Sequence, residues 1–159
     1  MAIGEMSMSF QELENSLLEL FASLNNGADR TAGFIVGSTL PFRRLCQVIG
    51  TLSKHRVQDS DLNEWLSDIL TKCQKLEDER NTYIHSFYPL FCFGDGIEVL
   101  GRFKHKITKR GYALYSEDHN SEKIRALAFE FTSCNRDVSD YLKELREQRL
   151  VPNDEVVPV

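Results

Sequence analysis

The residues best suited to chemistry lie within six positions of the sequence, at Arg80, Asn81 and His85. An imidazole titrates near neutral pH and can donate or accept a proton. A guanidinium stays charged and can hold phosphate oxygens through two parallel hydrogen bonds. On a helix, Asn81 would lie one turn before His85 on the same face. The three side chains therefore predict a site that handles protons beside a bound phosphate group.

Arg80 also interrupts an apolar stripe, because it falls in register with Leu66 and Cys73 of a long helical pattern that starts near Leu62. Burying an unpaired charge costs several kcal/mol or more, so we expect Arg80 to have a partner. A purely structural alternative is open at this point. Arg80 could pair with Glu77 or with an acidic residue of another helix, and His85 could serve only as a favourable cation at a helix C-terminus.

The length of 159 residues suits one domain, and a net charge of −5 argues against a protein that coats nucleic acid with its whole surface. The four cysteines contain no C-x-x-C pair, and the four histidines contain no H-x-x-x-H pair. Neither a metal site nor a disulfide framework is therefore expected. No signal peptide and no stretch of roughly 20 apolar residues is found, so we expect a cytoplasmic protein without a membrane partner.

The periodicity predicts a mainly α fold: an antiparallel four- to five-helix bundle with a small antiparallel β-hairpin insert before the last helix. One domain spans 9–150, with the insert at about 90–115, and 1–8 and 151–159 are expected to be flexible. The long helix begins after an Asp59 cap and runs to about Tyr88, and the last helix runs from Asn120 or Ser121 to about Leu150. Hairpin turns are expected at 95–96 and 109–111.

Five basic side chains lie along the predicted insert, most of them on its outer face: Arg102, Lys104, Lys106, Lys109 and Arg110. Lysines on an exposed strand protect its edge from aggregation. The same cations could bind an RNA backbone. Both interpretations are open from the sequence.

The R-N-x-x-x-H pattern of Arg80, Asn81 and His85, near the end of a long bundle helix, resembles the signature of the HEPN superfamily (higher eukaryotes and prokaryotes nucleotide-binding domain). The resemblance covers about 9–150. It implies a metal-independent RNA endonuclease without a cofactor, in which two protomers form a homodimer and their arginine–histidine sets face one cleft. It further implies a toxin or defence component whose partner is a protein antitoxin or a nucleotidyltransferase.

Within that resemblance, His85 is the general acid or base, Arg80 binds the phosphate in the transition state, and Asn81 orients His85. The alternative is a noncatalytic helical-bundle dimer that binds nucleotide, nucleic acid or a protein partner. In that case Arg80 would hold the interface, and the basic insert would bind the ligand.

Overall fold

A computed structural model of the chain describes residues 2–25, 30–86, 88, 90–92, 98–108, 111–118 and 121–152. These residues form five helices and three strands, in the order α1 (Ala2–Leu24), α2 (Arg30–Ser38), α3 (Phe42–Arg56), α4 (Ser60–Ile84), β1 (Leu90–Cys92), β2 (Glu98–Thr108), β3 (Gly111–Asp118) and α5 (Ser121–Glu147). The predicted mainly α fold with a small β insert before the last helix is confirmed.

Helix α4 runs antiparallel to its neighbours α3 and α5 around one core, and on the α3 side Arg43 pairs with Glu77 while Ser53 hydrogen-bonds Asn63. Cys73 of α4 contacts Cys134 of α5, and Trp65 lies against Tyr141 further along α5, so these two helices run antiparallel. Helices α1, α3 and α5 form contacts with one another or with α4 along the bundle. The side chains of α4 that enter the core share one helical stripe: Leu62, Leu66, Ile69, Leu70, Cys73 and Leu76.

Helices α1 and α5 are neighbours that run parallel. Phe10 packs against Phe131 with ring centroids 5.4 Å apart, and Arg146 Nη2 donates to Glu19 Oε1 at 2.7 Å near the other ends of the two helices. Since α4 is antiparallel to α5, the end of α4, the start of α1 and the start of α5 meet at one end of the bundle.

The expectation of a flexible segment at 1–8 is wrong for the part that the structure describes. Helix α1 begins at Ala2, and Met6 is fully buried while Ala2 is nearly so. These residues precede Phe10 by one and two turns, so they extend the apolar stripe of the same helix. Burial of that extension favours helix over a flexible segment before residue 9.

The long helix begins as predicted and ends earlier. Asp59 Oδ1 accepts from the backbone N–H groups of Asp61 at 2.8 Å and Leu62 at 3.0 Å, which satisfies donors at the first turn. At the other end, α4 stops at Ile84 rather than near Tyr88. A carbonyl group of the last turn accepts a hydrogen bond from outside the helix there: the Tyr88 hydroxyl donates to the Tyr83 carbonyl at 2.8 Å.

The insert is a three-stranded antiparallel sheet in the order β1-β2-β3, the number of strands that two successive hairpin turns require. Strand β2 is the central strand, with Phe91 opposite Val99 on one side and Arg102 opposite Glu117 on the other. The predicted turns at 95–96 and 109–110, Asn120, and the tail from 153 onward lie outside the described residues. Among the described helices, none combines the length and apolar character that crossing a membrane requires.

Candidate functional site at the end of helix α4

The three candidate residues occupy the last turn of α4 and the position that ends it. Arg80 and Asn81 are half-buried helical residues, and His85 is the C-cap with φ −94° and ψ 16°. The His85 N–H donates to the Asn81 carbonyl at 3.3 Å, and the His85 side chain is exposed. The helix thus directs Arg80 toward the bundle and leaves the imidazole in solvent.

The partner that was expected for Arg80 is an aromatic ring. Its guanidinium carbon lies 4.2 Å from the centroid of Phe10 in α1, a cation–π contact typically worth about 0.5–2 kcal/mol. Phe10 is itself held between Phe42 at 4.9 Å and Phe131 at 5.4 Å. Arg80 therefore covers an aromatic cluster that joins α1, α3 and α5.

The proposed alternative of a Glu77–Arg80 ion pair is not seen. Glu77 pairs instead with Arg43 of α3, at 3.2 Å between Oε2 and Nε, and Arg43 also hydrogen-bonds Asp78. The Asp78 hydrogen bond and charge raise the pKa of Arg43. Within the described part of the chain no carboxylate pairs with Arg80, so its positive charge is not neutralised there.

Asn81 is joined to Arg80 rather than to His85. Arg80 Nη1 donates to Asn81 Oδ1 at 3.1 Å, which fixes both side chains beside the Phe10 ring. Among described residues, the His85 ring has no hydrogen-bond partner. The structure therefore brings Arg80 and Asn81 together, and it does not contain the contact by which Asn81 was expected to orient His85.

Arg102 does not lie on an exposed outer face of the sheet. Its side chain is buried, with 6% of its surface exposed, and its guanidinium carbon lies 4.7 Å from the ring centroid of Tyr83 in α4. Burial is the main cause of the raised pKa of nearby Tyr88, and the positive charge of Arg102 opposes it. This face of β2 packs on the end of α4 at Arg102, which is why a strand pattern alone misassigned it.

The other predicted basic contacts are only partly described. Lys104 is half-buried. Lys106 has its backbone in β2, opposite Ala113, and its side chain lies outside the described part. Lys109 and Arg110 lie outside the described residues. Because side chains alternate along a strand, Lys104 belongs to the same face as Arg102.

Sequence reasoning did not assign Phe10, Arg43 and Tyr83 to this end of the bundle as contact partners. Phe10 has the spacing of an ordinary core residue of α1. The local sequence does not indicate that an arginine 70 residues later will stack on its ring. The one available signal was the rule that a cation in an apolar stripe needs a partner. That rule predicts a partner without identifying it.

Beyond the motif, a groove of about 320 Å³ lies between α3 and α4, and residues including Cys46, Gly50, Thr51, Ser67 and Thr71 line it. Within the described ranges, no group of histidine, cysteine, aspartate or glutamate side chains is arranged to hold a metal ion. Comparison of the chain with protein-family models, curated proteins and solved structures finds no match.

Proposed function

We propose that this protein is a metal-independent RNA endonuclease of HEPN type that acts as a homodimer. The observation that carries the proposal is the pairing of a cation and an imidazole at one helix end. Arg80 has no carboxylate partner among the described residues, and His85 is exposed about 7.5 Å further along the helix axis.

The reaction needs three groups. A base removes the proton of the ribose 2′-hydroxyl, whose oxygen attacks the adjacent phosphorus. An acid protonates the leaving 5′-oxygen as the P–O bond breaks, giving a 2′,3′-cyclic phosphate and a 5′-hydroxyl. A cation stabilises the charge on the phosphate oxygens in the transition state. In our proposal, His85 transfers a proton and Arg80 binds the phosphate.

Pairing of two chains supplies the second proton-transfer group. One chain offers one histidine at the motif, and the reaction has two proton transfers, so two His85 side chains in one cleft would serve as base and acid. Asn81 then has a different role from the one first expected. Its amide oxygen accepts a hydrogen bond from the Arg80 guanidinium, which fixes that cation beside the Phe10 ring.

A metal-free cleavage assay tests the proposal. We expect the wild-type protein to cut single-stranded RNA in EDTA, and His85→Ala to slow cleavage by about 10²-fold or more, because a positioned proton donor or acceptor contributes that much. Arg80→Ala should lose a similar factor, and Arg80→Lys should keep part of the rate. His55→Ala is the matched control, since His55 is also exposed near a helix C-terminus. Equal cleavage by all variants would refute the assignment.

A second candidate is the noncatalytic module. The observation that favours it is that both Arg80 and Arg102 make aromatic contacts typical of structural roles. In this case the protein is a noncatalytic helical-bundle dimer that binds nucleic acid, nucleotide or a protein partner without cleaving RNA.

Binding measurements separate this candidate from the enzyme. If the module is correct, His85→Ala leaves RNA binding unchanged, while Lys104→Glu with Lys106→Glu weakens it steeply, because each phosphate contact that is lost reduces affinity and its salt dependence. Fluorescence anisotropy with a labelled RNA at two salt concentrations would measure both. Unchanged binding in the charge-reversed protein would exclude the basic sheet as the contact surface.

A further inference from the structure

Helices α4 and α5 bring two cysteine thiols together inside the bundle. The Sγ atoms of Cys73 and Cys134 lie 3.3 Å apart, although the two residues are separated by 61 positions in the sequence. Both side chains are fully buried. A small rotation of the two side chains would bring their sulfur atoms to bonding distance. The fold, rather than a C-x-x-C spacing, therefore assembles a pair of thiols that can form a disulfide.

The two thiols differ in how readily they lose a proton. A hydrogen bond from Cys73 lowers the pKa of Cys134, and the positive charge of Lys72 lowers it further, while burial opposes both effects. The pKa of Cys73 is raised, because the same hydrogen bond holds its proton and because the side chain is buried. Since the thiolate is the form that attacks an oxidant, Cys134 is the nucleophile of the pair and Cys73 is the thiol that keeps its proton.

Lys72 brings a cation to the level of Cys134 at the surface of the bundle. Its Nζ lies 3.4 Å from Glu130 and 3.7 Å from Asp137, two carboxylates that are placed one turn before and one turn after Cys134 on α5. It also donates to Ser133 Oγ at 3.5 Å. The Lys72 side chain is 36% exposed. Exposed ion pairs are weak, so Lys72 can move aside and admit a molecule little larger than water.

Cys46 of α3 is a buried thiol of a different kind. Burial is the main cause that raises its pKa to about 12. It therefore remains a neutral thiol, which is the unreactive form of cysteine. Of the three buried cysteines Cys46, Cys73 and Cys134, the structure favours reaction at Cys134.

We propose that Cys73 and Cys134 form a redox-active dithiol that a peroxide converts to a disulfide between α4 and α5. In the first step, the Cys134 thiolate attacks one oxygen of hydrogen peroxide. An S–O bond forms, the O–O bond breaks, and the departing hydroxide takes a proton to become water, which leaves Cys134 as a sulfenic acid.

In the second step, the Cys73 sulfur attacks the Cys134 sulfur. The S–S bond forms, the S–O bond breaks, and the Cys73 proton leaves with the hydroxide as water. Two thiols are thus oxidised to one disulfide, and one peroxide is reduced to two waters. This reaction needs neither Arg80 nor His85, so it stands apart from the proposed function.

The disulfide would close a loop of 61 positions between α4 and α5. A cross-link over such a loop restricts the unfolded chain and stabilises the folded bundle. We expect the oxidised protein to unfold at a temperature about 5 °C or more above that of the reduced protein. An oxidised form that is no more stable than the reduced one would contradict a disulfide that the fold accommodates.

Thiol counting on the folded protein tests the site. After treatment with millimolar hydrogen peroxide and alkylation in denaturant, intact mass spectrometry should find two alkylated cysteines in place of four, and dithiothreitol should restore four. Peptide mapping without reduction should identify the Cys73–Cys134 pair. Cys73→Ala and Cys134→Ala should form no disulfide. Cys46→Ala is the matched control, because Cys46 is buried as well, and it should form the disulfide as wild type does.

The order of attack has its own test. In Cys73→Ala, Cys134 should accumulate as a sulfenic acid that dimedone labels, whereas in Cys134→Ala, Cys73 should stay unlabelled. Lys72→Met removes the charge beside Cys134 and should slow disulfide formation by about threefold or more. Lys75→Met is the control for that change, because Lys75 is an exposed lysine of the same helix.

The wild-type result decides the proposal even if a core variant fails to fold. Four alkylated cysteines after peroxide treatment of the wild-type protein would overturn it, and so would a disulfide that maps to Cys46. A sample unfolded in urea shows whether the fold selects the pair. We expect mixed pairings there, and an equal yield of Cys73–Cys134 in urea would also contradict the proposal.

Discussion

At the scale of single residues, Arg80 combines a structural contact with a positive charge that no carboxylate among the described residues neutralises. Its guanidinium covers the Phe10 ring and donates a hydrogen bond to Asn81. The carboxylate of Glu77 forms an ion pair with Arg43 instead. A carboxylate partner would hold the guanidinium in a competing ion pair. An aromatic face fixes the side chain while leaving its positive charge able to attract phosphate.

The Arg80–Phe10 contact predicts a measurable coupling. In a double-mutant cycle with Arg80→Ala and Phe10→Leu, the two changes should be non-additive in the free energy of unfolding by about 0.5–2 kcal/mol, because the cation–π contact is lost only once. Urea denaturation of the four proteins measures it. The pair Arg80→Ala and Phe21→Leu is the control. Phe21 is a buried residue of α1, as Phe10 is, but it lies near the other end of that helix. Additive energies for Arg80 and Phe10 would contradict the contact.

The sequence identified the side chains that could take part in proton transfer and phosphate binding. It did not identify the residues that these side chains contact in the fold. Arg80 was expected to need a partner, and it has one. Phe10 could not be identified as that partner because it is 70 positions away and follows its own helical stripe. Arg102 was expected in solvent from strand alternation, yet it is buried on Tyr83, because alternation assigns residues to two faces without saying which face another element covers.

At the scale of elements, helix α4 is well predicted at its start. Its apolar stripe and its Asp59 cap are both local signals, so its start follows from the sequence. Its end does not, because it depends on hydrogen bonds from Tyr88 and on packing of the sheet. The start of α1 was also missed, because burial of Met6 in the core extends the helix into the segment before residue 9.

Close packing of α2 on α1 gives a prediction for the elements. A Cβ at Gly33 would lie 2.9 Å from the Ala22 Cα, a backbone atom that cannot move aside, so Gly33→Ala should destabilise by about 1–3 kcal/mol. Gly4→Ala is the matched control. A Cβ at Gly4 meets nothing within 4 Å, and α1 should gain about 0.5–1 kcal/mol there from the better helix former. Thermal denaturation measures both, and a stabilising Gly33→Ala would contradict the α1–α2 packing.

At the scale of the whole molecule, the fold places the candidate site residues Arg80, Asn81 and His85 at one end of the bundle. Helix α4 runs opposite to α1 and α5, so its last turn meets their first turns, and the sheet that follows α4 packs on the same end through Arg102.

The most direct test of the central claim, that Arg80 and His85 form a ribonuclease site, is product analysis of a defined single-stranded RNA incubated with the protein in EDTA. We predict fragments with 2′,3′-cyclic phosphate and 5′-hydroxyl ends from wild type and from His55→Ala, at similar rates. His85→Ala and Arg80→Ala should form them more slowly, by about 10²-fold or more. Mass spectrometry identifies the ends. Fragments formed equally fast without His85, or no cleavage of any RNA by the wild-type dimer, would contradict the account.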